Sequence, residues 1–152
     1  MVRPIRVFDG VFGRLELAEA AAEAAAQPGG APHIGVKHGG PDLDYQVGGE
    51  TLRLTRGNLL FLNPGVECRA LPAAGGALAQ LLAFQASPAW LCSRFPAVFD
   101  AGGRPFPAAS EPITDRIRQL ADTLAIEVLN DQFLSHERLE FMLQELVLSI
   151  VE

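Results

Sequence analysis

Between Gly39 and Gly103 the chain is broken so regularly by glycine and proline that no long helix can form there. Short apolar runs alternate with Gly39-Gly40-Pro41, Gly48-Gly49, Arg56-Gly57, Asn63-Pro64-Gly65 and Gly75-Gly76. Turns every 8–12 residues or so leave room only for short strands, the pattern of a sandwich or small barrel. The punctuation predicts strands at Ile34–His38, Asp44–Val47, Glu50–Thr55, Leu59–Leu62, Glu67–Leu71 and Leu78–Phe84. Asp44–Val47 and Glu50–Thr55 form a hairpin about Gly48-Gly49, since a two-residue turn of that type suits glycine at both positions. Thr51, Arg53 and Thr55 alternate with Leu52 and Leu54, as a half-buried strand requires.

One earlier segment points two ways. Leu15–Gln27 is so rich in alanine that intrinsic propensity favours helix. The alternation of Arg14, Leu15, Glu16 and Leu17 fits a strand instead.

Beyond residue 103 the period changes. Ser110 is placed as an N-cap, with Glu111 in the first turn and Pro112 near the helix start. Ile113, Ile117, Leu120, Leu124 and Val128 then recur at helical spacing, and the stripe ends near Asn130-Asp131. A second helix begins at Ser135, with Glu137 near its positive end. Its apolar positions Leu139, Met142, Leu143, Leu146, Val147 and Ile150 are widened by Phe141, Leu148 and Val151. A band that broad calls for two surfaces to bury against, its own domain and a second copy of the chain. The chain thus reads as one domain over 1–152, with a β part at 1–103 and helices at 104–152.

Charge removes several function classes. Twelve basic residues face eighteen acidic ones, a net charge of −6. No basic stripe exists to neutralise phosphates, so neither nucleic acid nor an anionic membrane surface is an expected partner of this chain alone. The N-terminal residues lack the apolar core of a secretion signal, and no apolar run approaches the roughly 18 residues of a membrane span. The two cysteines, Cys68 and Cys92, are too few for a disulfide framework or a zinc knuckle. A cytoplasmic setting is the expectation.

No catalytic apparatus is visible. His33 and His38 lie an odd number of residues apart on one strand, so they point to opposite faces and cannot chelate one ion. His38 shares parity with Ile34 and Val36 and is expected to face the apolar interior, whereas His136 opens a helix at the surface. Ser87 and Ser93 lack the setting of a nucleophile elbow, Asp42 and Asp44 sit in a solvated turn, and HExxH and CxxC are absent. Neither a metal nor another cofactor is expected.

The stretch from Tyr45 to Ala70, YQVGGETLRLTRGNLLFLNPGVECRA, carries a resemblance. Gly57, the strand Leu59–Leu62, then Asn63-Pro64-Gly65 and Cys68 stand in the order found in a cupin barrel. They are similar, more narrowly, to the N-terminal sensor domain of AraC-type bacterial transcription regulators. Phe84 to Leu91, with Ser87-Pro88-Ala89-Trp90, looks like the strand end and Pro-x-Trp turn of that family, and the closing helix pair matches its dimerising helices. The resemblance implies a mostly β fold: a cupin-like double-stranded β-helix followed by an antiparallel helix pair. It also implies that Leu15–Gln27 is a strand.

Where metal-binding cupins place a histidine after Pro-Gly, this chain has Cys68. Where the sugar-binding member of the family holds its ligand, the corresponding positions are Ala70, Ala79 and Leu81, which cannot hydrogen-bond hydroxyls. The resemblance therefore implies a small apolar or aromatic effector, with His38, Tyr45, Phe61, Cys68 and Leu81 expected around it. Leu139, Met142, Leu143, Leu146 and Ile150 are the expected homodimer contacts, and Met1–Val11 is an expected regulatory arm. Such regulators continue into a basic DNA-binding region; ending at Val151-Glu152 in mid-helix, this sequence is expected to be a piece of one. The alternatives are a free-standing cupin enzyme, metal-free or with an atypical metal site, and a purely structural dimerisation module.

Overall fold

The computed structural model describes residues 2–20, 25–26, 31–71, 78–99, 106–130 and 134–151. In chain order its elements are β1 (Val2–Gly10), β2 (Gly13–Ala20), β3 (Ala25–Ala26), β4 (His33–Gly39), β5 (Leu43–Val47), β6 (Glu50–Leu54), β7 (Asn58–Leu62), β8 (Cys68–Ala70), β9 (Ala79–Ala86), α1 (Pro88–Arg94), β10 (Ser110–Pro112), α2 (Asp115–Leu129) and α3 (His136–Val151). A six-stranded sheet runs β1-β2-β9-β4-β7-β10 and a four-stranded sheet β3-β8-β5-β6, with neighbours antiparallel. The fold is mostly β with helices towards the C-terminus, as expected.

Turn chemistry set the strand boundaries. Val47 pairs with Glu50 across Gly48 and Gly49, whose φ values of +55° and +89° are the left-handed conformations that a two-residue hairpin demands. The Gly75-Gly76 turn lies outside the described residues.

Leu15–Gln27 folds as strand where it is described. All of Gly13–Ala20 is in register with β9, and Leu15 and Leu17 are buried. Hydrogen-bond ladders on both sides and two enclosed leucines outweigh the few tenths of a kcal/mol per residue, roughly, that propensity offers a helix. Residues 21–24 and 27 lie outside the described set.

Three expectations need correction. The segment expected as a regulatory arm, Met1–Val11, holds β1, a sheet strand that pairs with β2 along Val2–Gly10. Where β2 starts, Gly13 (φ +118°) leaves its α-carbon bare and so lies hard against the end of β9. A β-carbon there would stand 2.1 Å from the Gln85 carbonyl oxygen. Secondly, Ser110 caps no helix. Ser110–Pro112 joins the edge of β7, where Pro112 has no amide to leave unpaired, and Thr114 is the N-cap, its Oγ1 accepting from the Ile117 amide at 3.2 Å. The 104–152 part is therefore not purely helical, since its first strand returns to the sheet. Thirdly, Ser87-Pro88-Ala89-Trp90 is not a turn but the start of α1, capped by Ser87.

Two cores result. One lies between the six-stranded sheet and the helices and gathers Leu15, Leu17, Ile34, Val36, Leu59, Phe61, Leu82 and Phe84 with Ile117, Leu124 and Val128 of α2. The other lies between the sheets, around Leu43, Tyr45, Val47, Leu54, Leu60, Cys68 and Ala79.

The expected dimer contacts are also corrected. Leu139, Met142, Leu143 and Leu146 are buried in the sheet–helix core, and half-buried Ile150 packs against it. The chain uses the broad apolar band of α3 for itself. What α3 exposes is Phe141 and Leu148, and α2 exposes Ile126 and Leu129.

Candidate functional site

The inter-sheet core brings Tyr45, Cys68 and Leu81 together. Strands β5 and β8 pair so that Tyr45 faces Ala70 and Val47 faces Cys68. From the opposite sheet, Ala79 is buried in the same cluster and Leu81 packs against it. Ala70, Ala79 and Leu81, the positions singled out through the sugar-binding relative, thus share one apolar enclosure with Tyr45.

Two of its polar groups, Tyr45 and Cys68, are neutral at physiological pH. Burial raises the Tyr45 phenol well above the ordinary range, with a smaller contribution from Cys68. Burial likewise pushes the Cys68 thiol up to about 11. The reactive thiolate is then a minute fraction at pH 7, and Cys68 behaves as a small apolar side chain. Tyr45 is 8% exposed, and its hydroxyl bonds to no side chain or carbonyl among the described residues but reaches solvent, since no sealed side-chain polar atom among them lacks a partner.

His38 and Phe61 lie elsewhere, on the helix side of the six-stranded sheet. That sheet is covered on both faces, so the parity His38 shares with Ile34 and Val36 is real but leads to the other core. Phe61 stacks on Phe106, with ring centres 4.5 Å apart and planes at 16°. His38 is the extra residue of a bulge, where β4 passes from Lys37 to Gly39 while β9 advances only from Leu81 to Gln80. The bulge turns His38 Nδ1 to Asp122 of α2 at 3.3 Å. Asp122 also takes Arg56 at 3.2 Å and Arg118 at 3.4 Å, and the two arginines donate to the backbone carbonyls of His38, Lys37 and Arg56. Burial alone would raise the Asp122 carboxyl, but Arg56, Arg118 and the hydrogen bond from His38 hold it below its usual value. His38 thereby fastens α2 to the end of β4.

Sequence reasoning missed Lys37. It stands opposite Leu81, facing the inter-sheet side, and at 3% exposure is the buried charged residue among those described. Its Nζ lies 3.6 Å from Asp42 Oδ1, so Asp42 is more than a solvated turn residue. The available signal was that Lys37 is the only lysine of the chain and shares parity with His33 and Gly35. His33 is half-buried, its Nδ1 3.1 Å from the Ala31 carbonyl, which requires the proton on Nδ1. Burial lowers its pKa, while the Ala31 bond and Glu16 act in the opposite direction. Among the described residues no cluster of three His, Cys, Asp or Glu side chains could hold a metal ion.

The described fold is mostly β, two antiparallel sheets with helices towards the C-terminus. No family model matches the sequence, and a search of curated proteins found no match either. Similar solved structures include the cupin domain of Schizosaccharomyces pombe Cnp3, at 12% identity and a TM-score of 0.48 over 62% of this chain and 74% of that one. A Cupin 2 conserved barrel domain protein from Salinispora arenicola is similar at 13% identity and a TM-score of 0.44, over 63% of this chain and 82% of that one. The ribosomal oxygenase YcfD from Escherichia coli is similar at 18% identity and a TM-score of 0.36, over 91% of this chain and 41% of that one. Among the described residues no helix is long and apolar enough to cross a membrane.

Proposed function

We propose that the chain is the ligand-sensing and dimerising domain of an AraC-type transcription regulator, working in the cytoplasm. It takes a small apolar or aromatic effector between its two sheets and passes occupancy to a DNA-binding region outside this sequence. The observation that carries this reading is the Tyr45 hydroxyl, set beside Cys68 in an aliphatic enclosure and bonded to no described residue. A neutral hydroxyl among largely apolar walls, with the paired Lys37 and Asp42 on the same side of the sheet, orients a ligand without reacting with it. The thiol is un-ionised, which favours binding over nucleophilic catalysis. Ala70, Ala79 and Leu81 supply no partners for a polyhydroxylated ligand, which supports an apolar effector over a sugar. Switching requires the effector to prefer one arrangement of the helices over another.

The test is a thermal-shift series with indole, 1-naphthol and decanoate on the wild type and on Leu81→Trp, which fills the enclosure. A compound that binds only the native state raises the midpoint with the logarithm of its concentration above Kd. The expected result is a rise in the wild type that Leu81→Trp abolishes. No rise with any of the three, or stoichiometric transition metal in untagged protein, overturns the reading.

A further inference from the structure

A second concavity lies on the opposite side of the six-stranded sheet, away from Tyr45 and Cys68. It is a cleft of about 410 Å³ between the sheet edge, the segment after α1 and the last turn of α3. Phe61, Phe106, Val98, Ile150 and Val151 form its apolar wall, and Glu111 of β10 supplies a carboxylate. Glu111 reaches this side because it stands in register with Leu59, whose side chain faces the helices. The volume falls within the roughly 300–1,000 Å³ of small-molecule sites.

The chemistry of this wall is selective. Phe61 and Phe106 are stacked and nearly buried, so they form a rigid aromatic surface rather than a mobile flap. Glu111 is half-buried and makes no hydrogen bond or ion pair with the described residues, whereas Asp122, Glu127, Glu140 and Glu145 of the helices are each bound by an arginine. No basic side chain lines the cleft among the described residues. A ligand that complements it carries an apolar or aromatic body and one positive charge.

We infer that this cleft binds a small organic monocation, an arylalkylammonium, with the ammonium on Glu111 and the ring against Phe106. This site is distinct from the inter-sheet enclosure and does not depend on its being occupied. A ligand here also touches Ile150 and Val151, so it stiffens the last turn of α3 against the sheet edge.

The experiment uses 2-phenylethylamine as probe, with 3-phenylpropionate and 3-phenylpropionamide as the anionic and neutral counterparts. Amide chemical shifts are followed by NMR in the wild type and in Glu111→Gln, which keeps the shape and removes the charge. The expected result is saturable shifts at Val98, Ile150 and Val151 with 2-phenylethylamine only, weakened about five- to tenfold in Glu111→Gln. Equal binding of the neutral amide, unchanged affinity in Glu111→Gln, or no saturable shift at those amides overturns the inference. Shifts confined to Tyr45, Cys68 and Leu81 also overturn it. The failure is separable from that of the proposed function, because occupancy of the enclosure is read at Tyr45 and Leu81 and occupancy of the cleft at Val98 and Val151.

Discussion

His33 links the sheet interior to pH. Its ring is half-buried, and burial lowers its pKa from the free value of 6.5. Between the native pKa and 6.5 the unfolded chain binds more protons than the folded one, so stability rises with pH through that window and falls as pH drops below 6.5. Glu16 and the Ala31 carbonyl moderate the effect without reversing it. Urea titrations at pH 7.5 and 5.5 are expected to give a lower midpoint at 5.5, and His33→Gln to shrink that difference. An unchanged difference in His33→Gln would mean that other groups carry the dependence. The Asp122 carboxyl acts lower on the scale: held below its free value of 3.8, it stabilises the fold above that pH and loses its contribution as pH falls through the native pKa.

At the scale of elements, the decisive local event is where α2 begins. Thr114 Oγ1 accepts from the Ile117 amide at 3.2 Å, while Ser110 Oγ is occupied by Asn58 Nδ2 at 2.8 Å within the sheet. Thr114→Ala is expected to cost about 1 kcal/mol and to speed hydrogen exchange at Ile117. Ser110→Ala should leave exchange at Ile117 unchanged, which would fail if Ser110 were the cap. The misplacement has a physical origin. Ser110-Glu111-Pro112 carries the chemistry of a helix start, and only the open edge of β7, invisible in local sequence, recruits it as a strand. The glycine-bounded strands were legible because their turns demand residues that few other settings tolerate, Gly48-Gly49 above all. The stripe from Ile117 to Val128 was legible because one face of α2 is buried. Short α1 was hidden, since seven residues carry too little periodicity. Which face of β4 and β7 meets which core was hidden too, because both faces are enclosed. That is why Tyr45, Cys68 and Leu81 share one core while His38 and Phe61 do not join them.

At the scale of the molecule, a near-continuous series of rings ties the parts together. Phe12, Phe84, Trp90, Phe95, Phe99, Phe106 and Phe61 follow one another with centres 4.5–6.3 Å apart, from the β1–β2 hairpin to the edge of β7. Trp90 Nε1 and Arg94 both reach Glu140 of α3, at 3.1 and 2.8 Å, so α1 clamps α3 onto this spine. An α3 held so firmly on one side offers only its outer face to a partner. Phe141, 60% exposed, and Leu148 lie two turns apart there, roughly 10 Å along the axis. In an antiparallel pair related by a two-fold axis, Phe141 of one copy meets Leu148 of the other, which makes the face self-complementary. The flanking acids Glu127 and Glu145 are already paired with Arg138 and Arg116, which reduces repulsion between two acidic chains. Sedimentation of the wild type should therefore show a dimer at tens of micromolar or so, a range typical of modest interfaces. Phe141→Glu should give a monomer whose melting is unchanged within about 0.5 kcal/mol, as for other surface substitutions. Leu143→Glu, by contrast, places a charge at a site with 0% exposure and should cost more than about 4 kcal/mol, comparable with the whole stability of many domains. A wild type that stays monomeric at about 0.1 mM, a concentration well above that of a micromolar interface, overturns the self-association. So does a dimer indifferent to Phe141→Glu combined with Leu148→Glu.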